Sequence, residues 1–190
     1  MRERMNYTWI ISGVWLVFFL YWGISARNVK ETARAEPTLS RAIHLALFAG
    51  AFLLVGPDAF SFGLLGARFW PDGAAFIGVI VLIIGIAFAI WARYHLGQYW
   101  SGTITIKEGH KLIRTGPYGL VRHPIYTGIV VGMLGTAIAT GEVRGLIALL
   151  LVIVAYIRKI GIEEGFLKAQ FGDAYARYIH EVKALIPFIL

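Results

Sequence analysis

The sequence predicts an all-α integral membrane protein with about five transmembrane helices, and three observations support this fold class. Of the 190 residues, 58% are hydrophobic and only 15% are charged, and the mean hydropathy is +0.68. The apolar residues form runs long enough to cross a hydrocarbon core about 30 Å thick. Because no polar stretch between those runs is long enough to form a second core, we expect a single domain over 1–190.

The composition also excludes some kinds of chemistry. The chain has no cysteine, which rules out disulfides, thiol catalysis and thiolate metal sites. His110 and His123 have no third histidine near them in the sequence, so no metal site is expected. The net charge of +7 is spread through the loops. This pattern favours contact with anionic membrane lipids and disfavours a nucleic-acid partner.

Three apolar runs occupy the N-terminal region, 1–92. The first, 7–25, is uncharged and too long for the apolar segment of a signal peptide, so we read it as a span. The second begins near residue 42 and reaches 56. The stretch 59–69 is apolar but interrupted by glycine, and three readings remain: it extends the second span, lies in the interface, or dips partway into the bilayer. The third span is 74–91.

The remaining apolar runs follow a long polar connection, 97–122, in which residues 103–106 alternate as a short strand would. The fourth span is predicted at 125–140 and the fifth at 145–157. Because both are short and very few residues join them, they should form a helical hairpin.

Glycines recur on one face of the fourth span, at Gly128, Gly132 and Gly135. Such a stripe lets another helix backbone approach closely, although membrane helices are also enriched in glycine without this purpose.

After the fifth span, residues 163–179 carry charges at spacings that leave one aromatic face. This pattern predicts a C-terminal amphipathic helix on the surface rather than a sixth span. The aromatic residues of that face are Phe166, Phe171, Tyr175 and Tyr178.

The distribution of Lys and Arg predicts the orientation. Fourteen of the eighteen lie in the loops after spans one, three and five, and the others are Arg2, Arg4, Arg68 and Arg144. Because positive loops face the cytoplasm, the C-terminus is expected there. The same orientation puts two polar stretches, 110–126 and 163–164, on one side of the membrane.

The first polar stretch ends in Arg122 and His123, directly before Pro124. Proline suits the first turn of a helix, so backbone and side-chain donors should converge at that helix N-terminus. Such a place suits an anionic or hydrogen-bond-accepting ligand group. The alternative is a positively charged connector that only meets lipid head groups.

The second polar stretch is the pair Glu163 and Glu164, with Lys159 four residues before Glu163 and on the same helical face. One interpretation is a simple surface pair. The other is a partly buried carboxylate that binds a ribose hydroxyl or an ammonium group, or that orients a nucleophile.

The motifs G-P-Y-G-L-V-R-H-P-I-Y-T-G, from 116, and E-E-G-F-L-K-A-Q-F-G-D-A-Y-A-R-Y, from 163, carry a family resemblance. They resemble the isoprenylcysteine carboxyl methyltransferases, within the wider group that includes phospholipid N-methyltransferases. The resemblance begins at His95, and the first three spans match only in character. It implies that S-adenosylmethionine is the methyl donor and S-adenosylhomocysteine the product. It also implies a lipophilic or prenylated substrate that enters from the bilayer.

The resemblance makes 93–190 the cofactor-binding and catalytic region, on the cytoplasmic side. Glu163 falls at the catalytic acidic position. The residues that fall in the cofactor-binding region are His110, Lys111, Leu112, Ile113, Tyr118, His123 and Tyr126, and we assign Arg122 and Glu164 to it as well.

One departure from the family concerns the residue one turn before the first glutamate. The carboxyl methyltransferases usually have arginine there, whereas this chain has Lys159, with Arg158 adjacent. Lysine cannot reproduce the planar, two-pronged grip of arginine on a carboxylate. Lys159 and Arg158 are the candidates to guide a carboxylate nucleophile. An amine nucleophile would instead need a proton acceptor, for which Glu163 or Glu164 is the candidate.

On the resemblance, carboxyl O-methylation of an isoprenylcysteine-like molecule is the favoured reaction. N-methylation of a phospholipid or other lipid amine is the alternative. A membrane reductase is a more distant one, since sterol reductases resemble the family at the C-terminal end. A non-enzymatic scaffold that binds anionic lipids is the last. The sequence does not predict the oligomeric state.

Overall fold

Helices and one short ribbon make up the part of the chain that the structure describes. The structure is a computed structural model, and it describes residues 2–27, 32–56, 60–69, 74–100, 105–107 and 112–187. The helices are α1 (Arg2–Ser25), α2 (Thr38–Val55), α3 (Ala75–Leu96), α4 (Pro124–Thr140), α5 (Val143–Phe171) and α6 (Asp173–Glu181), and the strands are β1 (Thr32–Ala35) and β2 (Thr105–Lys107).

The long helices are those of a multi-pass integral membrane protein. Among the described residues, α1, α2, α3 and α5 are long and apolar enough to cross a bilayer, and α4 is a shorter apolar helix. At about 1.5 Å per residue, α4 measures roughly 25 Å, slightly less than a typical hydrocarbon core. The fifth crossing therefore stays a prediction, as does the side that faces the cytoplasm.

The C-terminal helices differ from the prediction. We expected the fifth span to end at 157 and a separate surface helix to cover 163–179, but α5 continues without a break from Val143 to Phe171. Most side chains after the apolar run belong to good helix formers, so the change from apolar to polar is not a change of secondary structure. The break comes at Gly172, which adopts φ +49°. The shorter α6 follows and buries Tyr175 and Tyr178.

The fold is helical, as predicted, and a short antiparallel ribbon of β1 and β2 accompanies the helices. Its register pairs Arg34 with Ile106 and Ala35 with Thr105. Strand β2 overlaps the alternating residues 103–106. The ribbon ties the loop after α1 to the polar connection before α4.

Residues 60–69 do not extend the second span, because α2 ends at Val55 and the stretch forms turns. Its backbone binds the turn between α4 and α5: Phe69 N donates to Gly141 O at 3.1 Å, and Val143 N donates to Ala67 O at 3.0 Å. The buried Glu142 accepts from Ser61 Oγ at 2.9 Å. The stretch therefore caps the end of the bundle at which α4 meets α5.

The glycine stripe of α4 packs directly against α3, as the close-packing interpretation predicted. A Cβ added at Gly85 would lie 2.4 Å from the backbone nitrogen of Gly132, and one at Gly135 would lie 2.2 Å from that of Leu82. A Cβ at Gly128 would lie 2.6 Å from Gly85 O. The two backbones are thus in contact, and this contact positions the N-terminus of α4.

Replacing Gly85 by alanine should therefore destabilise the protein by about 1–3 kcal/mol, because the helices must separate to admit the methyl group. Thermal unfolding in detergent, followed by tryptophan fluorescence, would show a lower midpoint. Gly161→Ala is the matched control, since nothing lies within 4 Å of a Cβ there. Alanine favours a helix over glycine by about 1 kcal/mol, so the control should be at least as stable as the wild type. Equal midpoints for the two variants would contradict close packing.

Candidate functional site

The two polar stretches meet at one end of the bundle, as their predicted placement on one side requires. The N-terminus of α4 supplies Arg122, His123 and Tyr126, and the C-terminal half of α5 supplies Glu163 and Glu164. Arg122 donates to Glu164 Oε1 from Nε at 3.0 Å and from Nη2 at 2.7 Å. The hydroxyl of Tyr126 donates to Glu163 Oε2 at 2.6 Å.

Arg122 also fastens the C-terminal segment. Its Nη1 donates to the carbonyl oxygens of Ile179, at 3.3 Å, and Val182. Its backbone nitrogen donates to Lys183 O at 2.7 Å. The side chains of Arg122 and Glu164 are 9% and 14% exposed, so this is a largely buried ion pair. Such a pair holds three parts of the chain together: α4, α5 and the segment after α6.

His123 occupies the N-cap position of α4, and Pro124 follows within the first turn. The His123 Nε2 atom lies 3.2 Å from Glu164 Oε1, and its Nδ1 atom lies 3.8 Å from Glu163 Oε2. We expected the donors at this helix N-terminus to serve a ligand. In the structure, Glu164 of the same chain takes up donors from both Arg122 and His123.

A cavity of about 620 Å³ lies beside this network. The part of its lining from the start of α4, from α5 and from α6 holds most of the charged side chains, and we call it the polar wall. The part from α1 and α2 is mostly aromatic and aliphatic. The α1 and α2 wall consists of Phe18, Phe19, Trp22, His44, Leu45, Phe48, Ala49 and Phe52.

Most of the predicted site residues line this cavity. Those that do are Leu112, Ile113, Tyr118, Arg122, His123, Tyr126, Lys159 and Glu163. Glu164 does not line it but bonds two residues that do. His110 and Lys111 lie outside the described residues.

The two predicted cationic guides point in different directions. Lys159 lines the cavity and is only 8% exposed, with its Nζ 5.7 Å from the ring centre of Tyr126. Arg158 instead donates from Nη1 to Ser40 O, on α2, at 3.1 Å. Of the pair, Lys159 is therefore the one that a ligand in the cavity would meet.

A stack of rings runs through the polar wall. The rings of His123 and Tyr126 are 5.4 Å apart at an interplanar angle of 2°, and those of Tyr126 and Tyr156 are 4.3 Å apart at 20°. The His44 ring lies 5.6 Å from that of Tyr156. Sequence reasoning missed Tyr156, although it stands three residues before Lys159 and so on the same face of one continuous helix. Nothing in the sequence indicated His44.

Two buried phenols support the cavity from α6 and from the loop before α4. The hydroxyl of Tyr178 donates to the backbone oxygen of Tyr118 at 2.6 Å. Burial raises the pKa of Tyr178 to about 12. Burial, with the nearby charge of Glu163, raises the pKa of Tyr118 well above its usual range. Both groups therefore remain neutral hydrogen-bond donors at physiological pH.

The arrangement places an ammonium group, Lys159, and a carboxylate, Glu163, in the polar wall of a cavity whose lining from α1 and α2 is mostly apolar. Electrostatic interactions are stronger where water is scarce. The cavity can therefore hold an apolar molecule with one polar end and orient that end by charge.

Comparison with known proteins agrees with these observations. A family model described as "Phospholipid methyltransferase" matches residues 74–174, which run from the start of α3 into α6. A probable protein-S-isoprenylcysteine O-methyltransferase of Oryza sativa subsp. indica is 33% identical over 118 residues. The protein-S-isoprenylcysteine O-methyltransferase of Schizosaccharomyces pombe is 34% identical over 101 residues.

These similarities cover part of each protein. The aligned regions are 60% of this chain and 62% of the rice protein, and 52% of this chain and 43% of the S. pombe protein. The solved structure of the eukaryotic intramembrane Ras methyltransferase ICMT without a monobody has a TM-score of 0.55 to this chain at 23% identity. It covers 83% of this chain and 55% of that one, and at this identity it supports the fold alone.

Proposed function

The chain belongs to the phospholipid methyltransferase family, and from this premise we propose that it transfers a methyl group from S-adenosylmethionine to a lipophilic acceptor in the membrane. The favoured acceptor is an isoprenylcysteine-like molecule whose carboxylate is methylated. The observation that carries the proposal is one cavity with two kinds of lining. Apolar side chains from α1 and α2 line it, and so do Lys159 and Glu163 from α5. The names of the relatives support the same reaction.

The residues of the cavity fit the methyl donor. Leu112 and Ile113 offer apolar surface, Tyr118 and Tyr126 offer ring faces, and His123 offers polar ring atoms. A flat heterocycle with polar groups attached needs this combination of surfaces. When bound, S-adenosylmethionine supplies a methyl group on a positively charged sulfur.

The protein's own contribution is orientation and charge. Lys159 lies on the polar wall, where its ammonium group attracts an acceptor carboxylate at a single point. Glu163 is held in place by Tyr126. The aromatic wall of α1 and α2 receives the apolar part of the acceptor and limits water. Holding two reactants in line can by itself supply much of a rate enhancement.

A direct test uses purified protein in detergent, labelled S-adenosylmethionine and a farnesylcysteine analogue. We expect methyl transfer to the analogue and none to the same thioether with its carboxylate blocked as an amide. Transfer that is unaffected by the blocked carboxylate would contradict O-methylation. Calorimetric binding of S-adenosylhomocysteine, compared with that of a nicotinamide cofactor, separates this reading from a reductase. Binding of neither would leave the lipid-binding scaffold.

N-methylation of a lipid amine is the second candidate, and the presence of Glu163 in the cavity favours it. A carboxylate there can accept the proton that an ammonium group must lose before it attacks. Methyl transfer to an amine lipid, but not to the farnesylcysteine analogue, would select this reaction.

Lys159→Met tests whether the ammonium group guides an acceptor carboxylate. Removing the ammonium group should weaken carboxylate methylation by about tenfold to a hundredfold in kcat/KM, because a charged hydrogen bond is worth about 1.5–3 kcal/mol. Arg158→Met is the matched control: the same charge is lost one residue away, but that side chain bonds Ser40 on α2. Initial rates at low acceptor concentration measure the effect. If both variants lose the same activity, Lys159 has no special role.

A further inference from the structure

The hydroxyl of Tyr175, on α6, has no hydrogen-bond partner among the residues that the structure describes. Tyr175 is 1% exposed and lines the cavity. Its buried oxygen makes no hydrogen bond with any described residue. The great majority of buried polar side-chain atoms in proteins do have a partner, so an exception beside a ligand cavity asks for an explanation.

Two other tyrosines that line the cavity, by contrast, have hydroxyls that bond to the protein. Tyr178 lies one turn further along α6, is 2% exposed, and bonds the backbone oxygen of Tyr118. Tyr126 bonds Glu163. Six tyrosines line the cavity. The hydroxyls of Tyr126 and Tyr178 bond to the protein itself, and among the described residues Tyr175 is the tyrosine whose buried hydroxyl has no partner.

The charges around Tyr175 indicate what it can bind. Burial raises the pKa of Tyr175, and the nearby charges of Glu164 and Glu163 raise it further, so the phenol stays protonated and donates. Glu164 already accepts from Arg122 and His123. The charge of Arg122 also acts on Tyr175, but Arg122 is paired with Glu164. The surroundings therefore offer an anion no net attraction, and the group that accepts from Tyr175 should be neutral.

We propose that Tyr175 is a further ligand-binding residue, whose hydroxyl donates a hydrogen bond to a neutral acceptor atom on the nucleoside part of the methyl donor. A sugar hydroxyl or a ring nitrogen has the required chemistry. Tyr175 belongs to the polar wall, whereas the side chains proposed to receive the lipophilic acceptor come from α1 and α2. The inference rests on the proposed function, and it makes α6 part of the binding site.

Tyr175→Phe, which removes only the hydroxyl, tests the proposal. Titration calorimetry in detergent would use two probes: S-adenosylhomocysteine, and 5′-methylthioadenosine, which keeps the nucleoside but lacks the amino-acid part. Both should bind about fivefold more weakly to the variant, the effect of one neutral hydrogen bond. The thermal midpoint without ligand should stay the same or rise, since no hydrogen bond within the protein is lost. Tyr178→Phe is the counterpart, and its midpoint without ligand should fall.

Each other outcome has a definite meaning. Unchanged affinity of Tyr175→Phe for both probes would overturn the proposal and leave the proposed function intact. Weaker binding of S-adenosylhomocysteine alone would assign the hydroxyl to the amino-acid part and overturn the nucleoside assignment. If the wild type binds neither probe, the proposed function fails and this inference fails with it.

Discussion

Replacing Glu163 by glutamine is expected to lower kcat/KM for methyl transfer about a hundredfold while the protein stays folded. Removing one preorganised electrostatic group from a water-poor site costs about 10²–10³ in rate. Glu163 accepts from Tyr126 at 2.6 Å and lies 3.8 Å from His123 Nδ1. A glutamine oxygen can still accept from Tyr126, so the substitution removes charge and leaves the geometry. Initial rates, with thermal midpoints measured in parallel, report the two effects separately.

Glu181→Gln is the control for that experiment. Glu181 pairs with Arg114 on the outside of the protein, where the two side chains are 54% and 38% exposed. The same loss of charge at this position should leave the rate nearly unchanged. A Glu163→Gln variant that keeps more than a third of the wild-type rate would remove Glu163 from the catalytic position.

The features that the sequence predicts well are those encoded by short-range patterns. The glycine stripe of α4 shows in the sequence because residues three and four apart share a helix face. The short hairpin of α4 and α5 follows from two apolar runs with few residues between them. The approach of the two polar stretches follows from a different signal, the distribution of Lys and Arg among the loops, which puts both stretches on one side of the membrane.

The features that the sequence does not predict depend on contacts between distant segments. The α1 and α2 wall of the cavity has no pattern beyond that of an ordinary apolar helix, so His44 could not be selected. Strands β1 and β2 pair although α2 and α3 lie between them in the sequence. The sequence predicts the break between α5 and α6 too early in the chain, because a change from apolar to charged residues resembles the end of a helix.

Arg122 shows the limit most clearly. Locally it stands at a helix N-terminus, where donors are available to a ligand, and so it was assigned to the cofactor. Its partner is Glu164, 42 residues later. A local pattern shows that donors are present, but only the fold shows whether the protein has already used them.

The effect of Arg122→Ala should therefore appear in stability before it appears in catalysis. Removing one partner of a buried ion pair destabilises a protein by about 3–5 kcal/mol, because the other charge stays buried and unpaired. Here the bonds to Ile179 O and Val182 O are lost as well. We expect a much lower thermal midpoint and weaker S-adenosylhomocysteine binding, because α6 and the segment after it lose their side-chain anchor and keep only bonds such as that from the backbone nitrogen of residue 122 to Lys183 O. Arg114→Ala is the control, since an exposed ion pair contributes about 0–1 kcal/mol.

The double variant Arg122→Ala/Glu164→Ala separates the cost of an unpaired charge from the loss of the bonds to the C-terminal segment. If the unpaired carboxylate of Glu164 causes most of the damage, removing it should restore part of the stability, and the two single effects will not add. If the carbonyl bonds dominate, the double variant should be no more stable than Arg122→Ala. A wild-type midpoint for Arg122→Ala itself would show that the ion pair, although buried, does not hold the C-terminal segment in place.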